Sequence, residues 1–459
     1  MPFNSPAYAL LLAFSVTWTR IGPWPASMLI AASLAFYVAA GPFDTAVFLA
    51  AVLGNWLVQM SIPADRRRVT AAVVLNVGLI GYFKYRNFLL GDVGQAGSFL
   101  DTALPLGISF YSFQALAYHI DVVQGRAEPA KSFREFFLFK AFFPQLVAGP
   151  IVRPKQTLPQ FHRIFGGRRS QHRLLAFGLG LIALGLTKKI VLADSLAPVV
   201  DEIFFSLPDS AYHAWLGVVL FAFQIYFDFS GYSDIAIGSA YLLGIRLPRN
   251  FATPFLASSV PQFWQRWHIT LTLFLRDYVF LPLADMRLMA RRHRVVQHFA
   301  AIVLTMALCG LWHGAGWNFV VWGALQGIGI VFATAWARYL RSPAVAVGWA
   351  ATFIFFVITL VFFRSPNLAF SFEYLGTMLS FHGGWPSAAD DAAPPWQVMV
   401  GIGALFILHW AEFRLQRTEV LLALRRLDGP VMRGLLAGLS VLLILLPTYN
   451  ASPFIYFRF

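Results

Sequence analysis

The sequence predicts an all-α integral membrane protein, and three observations carry that prediction. Hydrophobic residues make up 58% of the 459 residues and charged residues only 12%, against about 45–50% apolar and about 25% charged in an ordinary soluble domain. The mean hydropathy is +0.65, and the 46 Phe, 14 Trp and 15 Tyr are spread along the chain rather than gathered in one anchor. Apolar stretches near the roughly 20 residues that a bilayer-spanning helix needs recur from one end to the other. A soluble enzyme with a membrane tail is thereby excluded.

The first stretch, MPFNSPAYALLLAFSVTWTR, has no Lys or Arg before its apolar run and no small-residue cleavage site. It reads as a membrane segment over about 5–19 rather than a secretory signal. Further candidates follow near 25–41, 43–62, 69–90, 135–152, 173–193, 211–228, 232–245, 296–312, 315–338, 345–363, 396–411 and 431–448. Several are too short to span, so about 11 transmembrane helices are expected, within a range of 10–13, with the remaining pieces re-entrant or interfacial. Residues 101–134 and 245–290 mix Pro, Arg, Asp and His with aromatics and fit neither a span nor a soluble loop. Polar, irregular backbone at membrane depth is tolerated only where protein buries it or where it lines a cavity, so a site is expected there. No inverted repeat of the transporter kind and no low-complexity segment is visible. A single polytopic domain over 1–459 is the expectation.

Thirty-five Lys and Arg against 21 Asp and Glu give a formal charge of +14. In a soluble protein that would point to nucleic acid; here basic residues at helix ends hold those ends at the cytoplasmic face, where anionic lipids favour them. The expected partners of this charge are membrane lipids, with no nucleic acid. Arg66, Arg67 and Arg68 are expected to be cytoplasmic, which puts the N-terminus outside. Arg414, Arg417, Arg425, Arg426 and Arg433 mark a cytoplasmic loop before the last apolar run, so the C-terminus is expected outside as well. The single Cys309 rules out an internal disulfide, a Cys-ligated zinc and an iron–sulfur cluster, and no metal is expected.

Three blocks carry residues suited to chemistry. In GLWHGAGWNFVVWGALQG, residues 310–327, His313 lies between apolar spans beside Trp312 and Asn318. Ionisable groups at membrane depth are costly and by default mark a functional site. Gly323 and Gly327 form a GxxxG that admits a second helix, and Gly314 and Gly316 are expected to leave room for a substrate. In FWQRWHITLTLFLRDYVFLPL, residues 263–283, helical periodicity puts Trp264, His268, Leu271 and Leu275 on one face and Arg266 nearly over Asp277 on the other. That predicts an amphipathic helix with an internal ion pair, either interfacial or catalytic. In QIYFDFSGYSDIAIG, residues 224–238, Asp228 and Asp234 flank Gly231. Six residues apart on a helix they diverge by about 120°, so a shared-proton dyad requires Gly231 to break the helix. His119 with Asp121, and Arg153 with Lys155, occupy two further Pro- and Gly-containing blocks. No HExxH, Walker loop, GxSxG or dinucleotide fingerprint is present.

In order along the chain, KYRNF at 84, LPLGISFYSFQALAYHIDV at 104, FPQLVAGPIVR at 143, YFDFSGYSDIAIG at 226, NFATPF at 250, the 263 and 310 blocks and SPFIYFRF at 452 resemble the membrane-bound O-acyltransferase family. The resemblance is to its bacterial branch that O-acetylates alginate and other polysaccharides. It covers a core of about 70–330 and resumes at the aromatic segment 452–459. It implies a ring of helices around a central funnel in a bacterial inner membrane. A cytoplasmic thioester, acetyl-CoA, would supply the acyl group, and a polysaccharide outside would receive it. His313 matches the family's invariant histidine and His268 the second one. Asp228, Asp234, Arg266, Asp277, Trp312 and Asn318 are then supporting residues. The pattern also implies an extracytoplasmic SGNH-type acetyltransferase as partner. LPLADMRLMARRHR at 281 and residues 340–400 depart from the family pattern. A D-alanyl transferase of the same fold is the nearer alternative and a channel or transporter the more distant one.

Segment 452–459 places four aromatics in its last six residues, after an apolar run. It reads either as an aromatic belt at the lipid interface or as a tail tucked into the outer funnel, with the Tyr456 hydroxyl acting as a transient acyl acceptor for His313.

Overall fold

The computed structural model describes residues 1–90, 104–146, 149–166, 175–286, 293–340, 343–380, 395–417, 429–446 and 454–455. Among them every regular element is helical and no strand occurs. Tyr456 and most of segment 452–459 lie outside the described residues.

The helices start where local chemistry permits. Pro occupies the first turn of α1 (Pro6–Ile21), α2 (Pro25–Val38) and α3 (Pro42–Ser61), where its missing N–H costs nothing. Asp65 caps α4 (Arg66–Ile80) through the Arg67 amide. The helical path runs on through a π-helical turn, Gly81–Tyr85, to Leu90. Then come α5 (Ile108–Val123), α6 (Phe133–Ala141), α7 (Pro154–Phe165) and α8 (Leu175–Leu186). A π-helical segment, Thr187–Ala193, joins α8 to α9 (Asp194–Phe205). The long α10 (Ala211–Leu242) precedes the short α11 (Val260–Trp264) and α12 (Ile269–Leu275). Beyond a short helix at Leu281–Asp285, the described residues also form α13 (Arg294–His313), α14 (Trp317–Tyr339), α15 (Val345–Arg364), α16 (Leu368–Leu379), α17 (Pro395–Arg417) and α18 (Pro430–Leu445). Six helical stretches among the described residues are long and apolar enough to cross a membrane: Pro42–Ser61, Leu175–Phe205, Ala211–Leu242, Arg294–His313, Trp317–Tyr339 and Val345–Arg364.

Two expectations are corrected. The segments anticipated at 211–228 and 232–245 form one 32-residue helix, about 48 Å long at 1.5 Å per residue, and Gly231 does not break it. The stretch 135–152 is not a continuous span: α6 ends at Ala141, before Pro144, Gly149 and Pro150.

The chain divides into two compact units. The first comprises Met1–Thr187, Gly231–Arg249 and Leu422–Pro447. In it Asn55 and Asn76 exchange buried amide hydrogen bonds between α3 and α4, and Arg68 turns back onto the Gln59 and Ile62 carbonyls. A Cβ at Gly185 would stand 2.5 Å from the Gly231 carbonyl, and one at Gly238 2.6 Å from that of Gly178. Glycines seven residues apart on each helix thus let α8 and the end of α10 touch backbone to backbone, which is the reason for Gly231 in an unbroken helix.

The second unit comprises Lys188–Ser230, Asn250–Leu421 and Thr448–Phe459. Its centre is the α13–α14 hairpin. A Cβ at Gly310 would meet the Phe319 carbonyl at 2.0 Å, one at Gly323 the Met306 carbonyl at 2.1 Å and one at Gly327 Val303 at 2.7 Å. Gln326 joins Trp264 of α11 at 3.2 Å to Thr359 of α15 at 2.7 Å. Tyr374 of α16 donates to the Ala214 carbonyl of α10 at 2.8 Å and stacks on Phe204.

Candidate active site

His313 is the last residue of α13, where extended backbone at Gly314 turns the chain toward α14. It is 3% exposed. Its ring is walled by Trp312 at 4.7 Å, Trp322 at 5.2 Å and Phe363 at 5.2 Å between centroids. Trp312 also faces the His268 ring at 6.1 Å, so one indole touches both histidines. The room expected beside Gly314 and Gly316 is taken within the turn itself. A Cβ at Gly314 would lie 2.1 Å from the Phe319 ring, and one at Gly316 2.5 Å from the Asn318 side-chain oxygen. Asn318 donates both amide hydrogens, to the Phe362 carbonyl at 3.1 Å and the Ser365 carbonyl at 2.9 Å. It straps the start of α14 to the end of α15.

Open volume does lie next to this turn. A cavity of about 550 Å³ is lined by Gly314, Ala315, Phe319, Gln224, Ser365 and Ile455, among others, with the Arg364–Asp201 ion pair, 2.8 Å, also on its wall. Gln224 is 2% exposed and its carbonyl oxygen accepts no hydrogen bond from a described residue.

His268 stands at a break rather than on a helical face. Its φ of 41° and ψ of 53° are left-handed, a conformation uncommon outside glycine that persists only when neighbours over-determine it. Asn250 does so: its carbonyl accepts from the Ile269 amide at 2.9 Å, and its side-chain oxygen accepts from the Thr270 hydroxyl at 2.9 Å and amide at 3.3 Å. The amphipathic helix predicted over 263–283 is therefore replaced by α11, a turn, α12, a π-helical turn and a last short helix. The periodicity that set Arg266 over Asp277 does not hold, and Asp277 accepts from neighbouring Arg276 at 2.7 Å. The Arg266 carbonyl takes the Ala252 amide at 2.9 Å. His268 is fully buried against Phe229 at 4.7 Å. Neither ring nitrogen hydrogen bonds a described residue, and burial lowers its pKa to about 3.

Asp228 is 2% exposed; it meets Lys189 at 2.6 Å and accepts the Ile455 amide at 2.9 Å. Asp234 lies six residues on in the same unbroken helix, so the break at Gly231 that a shared-proton dyad required does not occur. His119 is buried in α5, and Asp121 accepts from Arg126 at 3.4 Å. Arg153 precedes α7, and Lys155 lines a separate cavity of about 380 Å³ in the first unit with Arg126, Glu135 and His162.

Sequence reading passed over Asn250, His409 and a buried charge cluster. Lys188 pairs with Glu412 at 2.6 Å, Tyr226 donates to the same carboxylate at 2.7 Å, and Lys189 bonds Asp194 at 2.8 Å. The signal was there: two adjacent lysines inside an apolar span are costly unless paired. Among the described residues no group of three or more His, Cys, Asp or Glu converges as a metal site.

The sequence profile of the membrane-bound O-acyltransferase family matches residues 98–373. The alginate O-acetylase AlgI of Pseudomonas putida is 33% identical over 470 residues, covering 94% of each chain. The peptidoglycan O-acetyltransferase of Helicobacter pylori is 33% identical over 423 residues, 83% of this chain and 78% of that one. The teichoic acid D-alanyltransferase of Streptococcus thermophilus is 33% identical over 246 residues, 51% of this chain and 57% of its own.

Proposed function

This chain belongs to the membrane-bound O-acyltransferase family and is a multi-pass membrane O-acyltransferase, and on that premise we propose that it moves an acetyl group from cytoplasmic acetyl-CoA toward an extracytoplasmic polysaccharide. In this reading it sits in the bacterial inner membrane with both termini outside. A partner of SGNH type completes delivery to the glycan. The observation that carries the reading is the buried His313 turn with a cavity at its edge, on whose wall Ile455 of the aromatic segment also lies.

The chemistry follows from these side chains. A neutral imidazole accepts a proton at physiological pH. His313 takes the proton of an attacking hydroxyl as its oxygen adds to the thioester carbonyl. The tetrahedral oxyanion then collapses, the carbon–sulfur bond breaks, and the thiolate leaves with a proton from the imidazolium. General-base assistance typically contributes about 10²–10⁴-fold, with positioning and desolvation supplying the rest. His268 acts through Trp312, which it faces, and so has a positioning role. The first acceptor is Tyr456, one residue beyond Ile455. Its phenolic ester keeps more transfer potential than a serine ester and passes the acetyl group to the partner.

Purified protein in detergent, with an SGNH-type partner and a polysaccharide acceptor supplied for the transfer step, tests this with acetyl-CoA as donor and a carrier-borne D-alanyl thioester as comparison. Thiol release from acetyl-CoA is expected, with loss of at least tenfold in His313→Ala at unchanged folding. Tyr456→Phe keeps the ring and should abolish transfer to the glycan. Wild-type glycan transfer by Tyr456→Phe would end the relay, and preference for the D-alanyl donor would reassign the acyl group.

A further inference from the structure

Beyond this reaction, the second unit holds a buried arrangement that acts on main chain. Lys189 is 3% exposed, Asp194 5% and Asp228 2%. The lysine ammonium lies 2.8 Å from Asp194 and 2.6 Å from Asp228. The second oxygen of Asp228 accepts the Ile455 amide at 2.9 Å. Phe454, one residue earlier, packs on Phe229 at 5.5 Å, and Phe229 packs on His268. Lys189 lies in the π-helical segment Thr187–Ala193, a geometry that recurs at functional sites. Here the adjacent Lys188 and Lys189 are both buried, one toward Glu412 and the other toward the two aspartates.

We infer that Asp228, oriented by Lys189 and Asp194, is a clamp for the main chain at 454–455 that sets where Ile455 stands beside the His313 turn. A buried cluster of charges is weak evidence for stability in itself, and here Asp228 accepts a backbone N–H, that of Ile455, with its second oxygen. An ionised acceptor makes a charge-assisted bond, shorter and roughly twice as strong as a neutral one. Because the bond is made to backbone, it reads no side chain: any residue at 455 except proline can be held. Asp228, Lys189 and Asp194 are positioning residues, and Ile455 lines the cavity because of them.

Two experiments on the full chain in detergent decide the matter, and only the second depends on the proposed reaction. Hydrogen exchange of the Ile455 amide should be at least tenfold faster in Asp228→Leu than in wild type; Lys189 retains Asp194 in that variant, so no lone buried charge is created. Ile455→Pro leaves the charge cluster intact and removes only the donor. With the SGNH-type partner and a polysaccharide acceptor supplied, it should lower kcat for glycan transfer at least tenfold below that of Ile455→Ala, which trims the same side chain but keeps the N–H, at unchanged donor KM and melting temperature. Unchanged exchange in Asp228→Leu, or equal rates in Ile455→Pro and Ile455→Ala where both transfer, overturns the clamp. Should Asp228→Leu not fold, the proline–alanine pair alone decides.

Discussion

An imidazole fully enclosed beside Phe229 and near Trp312 must hold its neutral form to stay there. His268 does so because burial drops its pKa to about 3, against about 6.5 in an unfolded chain. Between those values the unfolded chain binds a proton that the folded chain refuses. Stability is therefore lost as the pH falls from about 6.5 toward about 3, by up to ~1.4 kcal/mol per unit for this one group. Melting of the detergent-solubilised protein should decline more steeply from pH 7 to pH 5 in wild type than in His268→Gln, which has nothing to titrate at that position. Parallel declines would show that His268 is hydrated in solution. His313 and His268 were both legible as single residues in apolar sequence. Asn250 was not, because an asparagine in a polar stretch gives no hint that it will bond the chain at 269 and 270.

Two helix pairs in this molecule, α8 with α10 and α13 with α14, are set by glycine more than by apolar pattern. In lipid, side-chain burial gives little drive for one helix to prefer another, so close backbone approach and interhelical bonds decide. The α13–α14 hairpin meets through Gly310 and Gly323, where an added Cβ would stand 2.0 and 2.1 Å from facing carbonyls. Gly323→Ala must push the helices apart and shift the His313 turn. A cost of about 1–3 kcal/mol is typical of overpacking, and here the obstruction is backbone that cannot rotate away. The expected result is a melting point lowered by several degrees with transfer reduced at least tenfold; a variant matching wild type in both would refute this packing. The GxxxG at 323–327 announced this contact in the sequence, while the glycines at 178, 185, 231 and 238 became legible only as two facing pairs. The 263–283 region misled for the opposite reason. Its apolar spacing suits a helix, but the turn at His268 is fixed by a contact from residue 250, and periodicity carries no information about such contacts.

At the scale of the whole chain, membrane class and family were plain from composition and from the order of the motif blocks, whereas the charge cluster was hidden by sequence distance. Lys189 finds Asp228 39 positions on, and Lys188 finds Glu412 224 positions on. Those pairs bring α10, α17 and residue 455 to the same π-helical segment within the second unit. The proposed topology makes its own demand: a cysteine replacing Arg67 should label only from the cytoplasmic side of intact cells, and labelling from outside would invert the orientation. The central claim is that His313 moves an acetyl group onto a surface glycan, and it is tested most directly by mass spectrometry of glycan O-acetyl in cells carrying wild type, His313→Ala at equal membrane abundance, or no protein. Acetylation should appear with wild type alone, with His313→Ala indistinguishable from the deletion. Acetylation above a tenth of wild type in His313→Ala, or acetylation that persists unchanged without the protein, would contradict the claim.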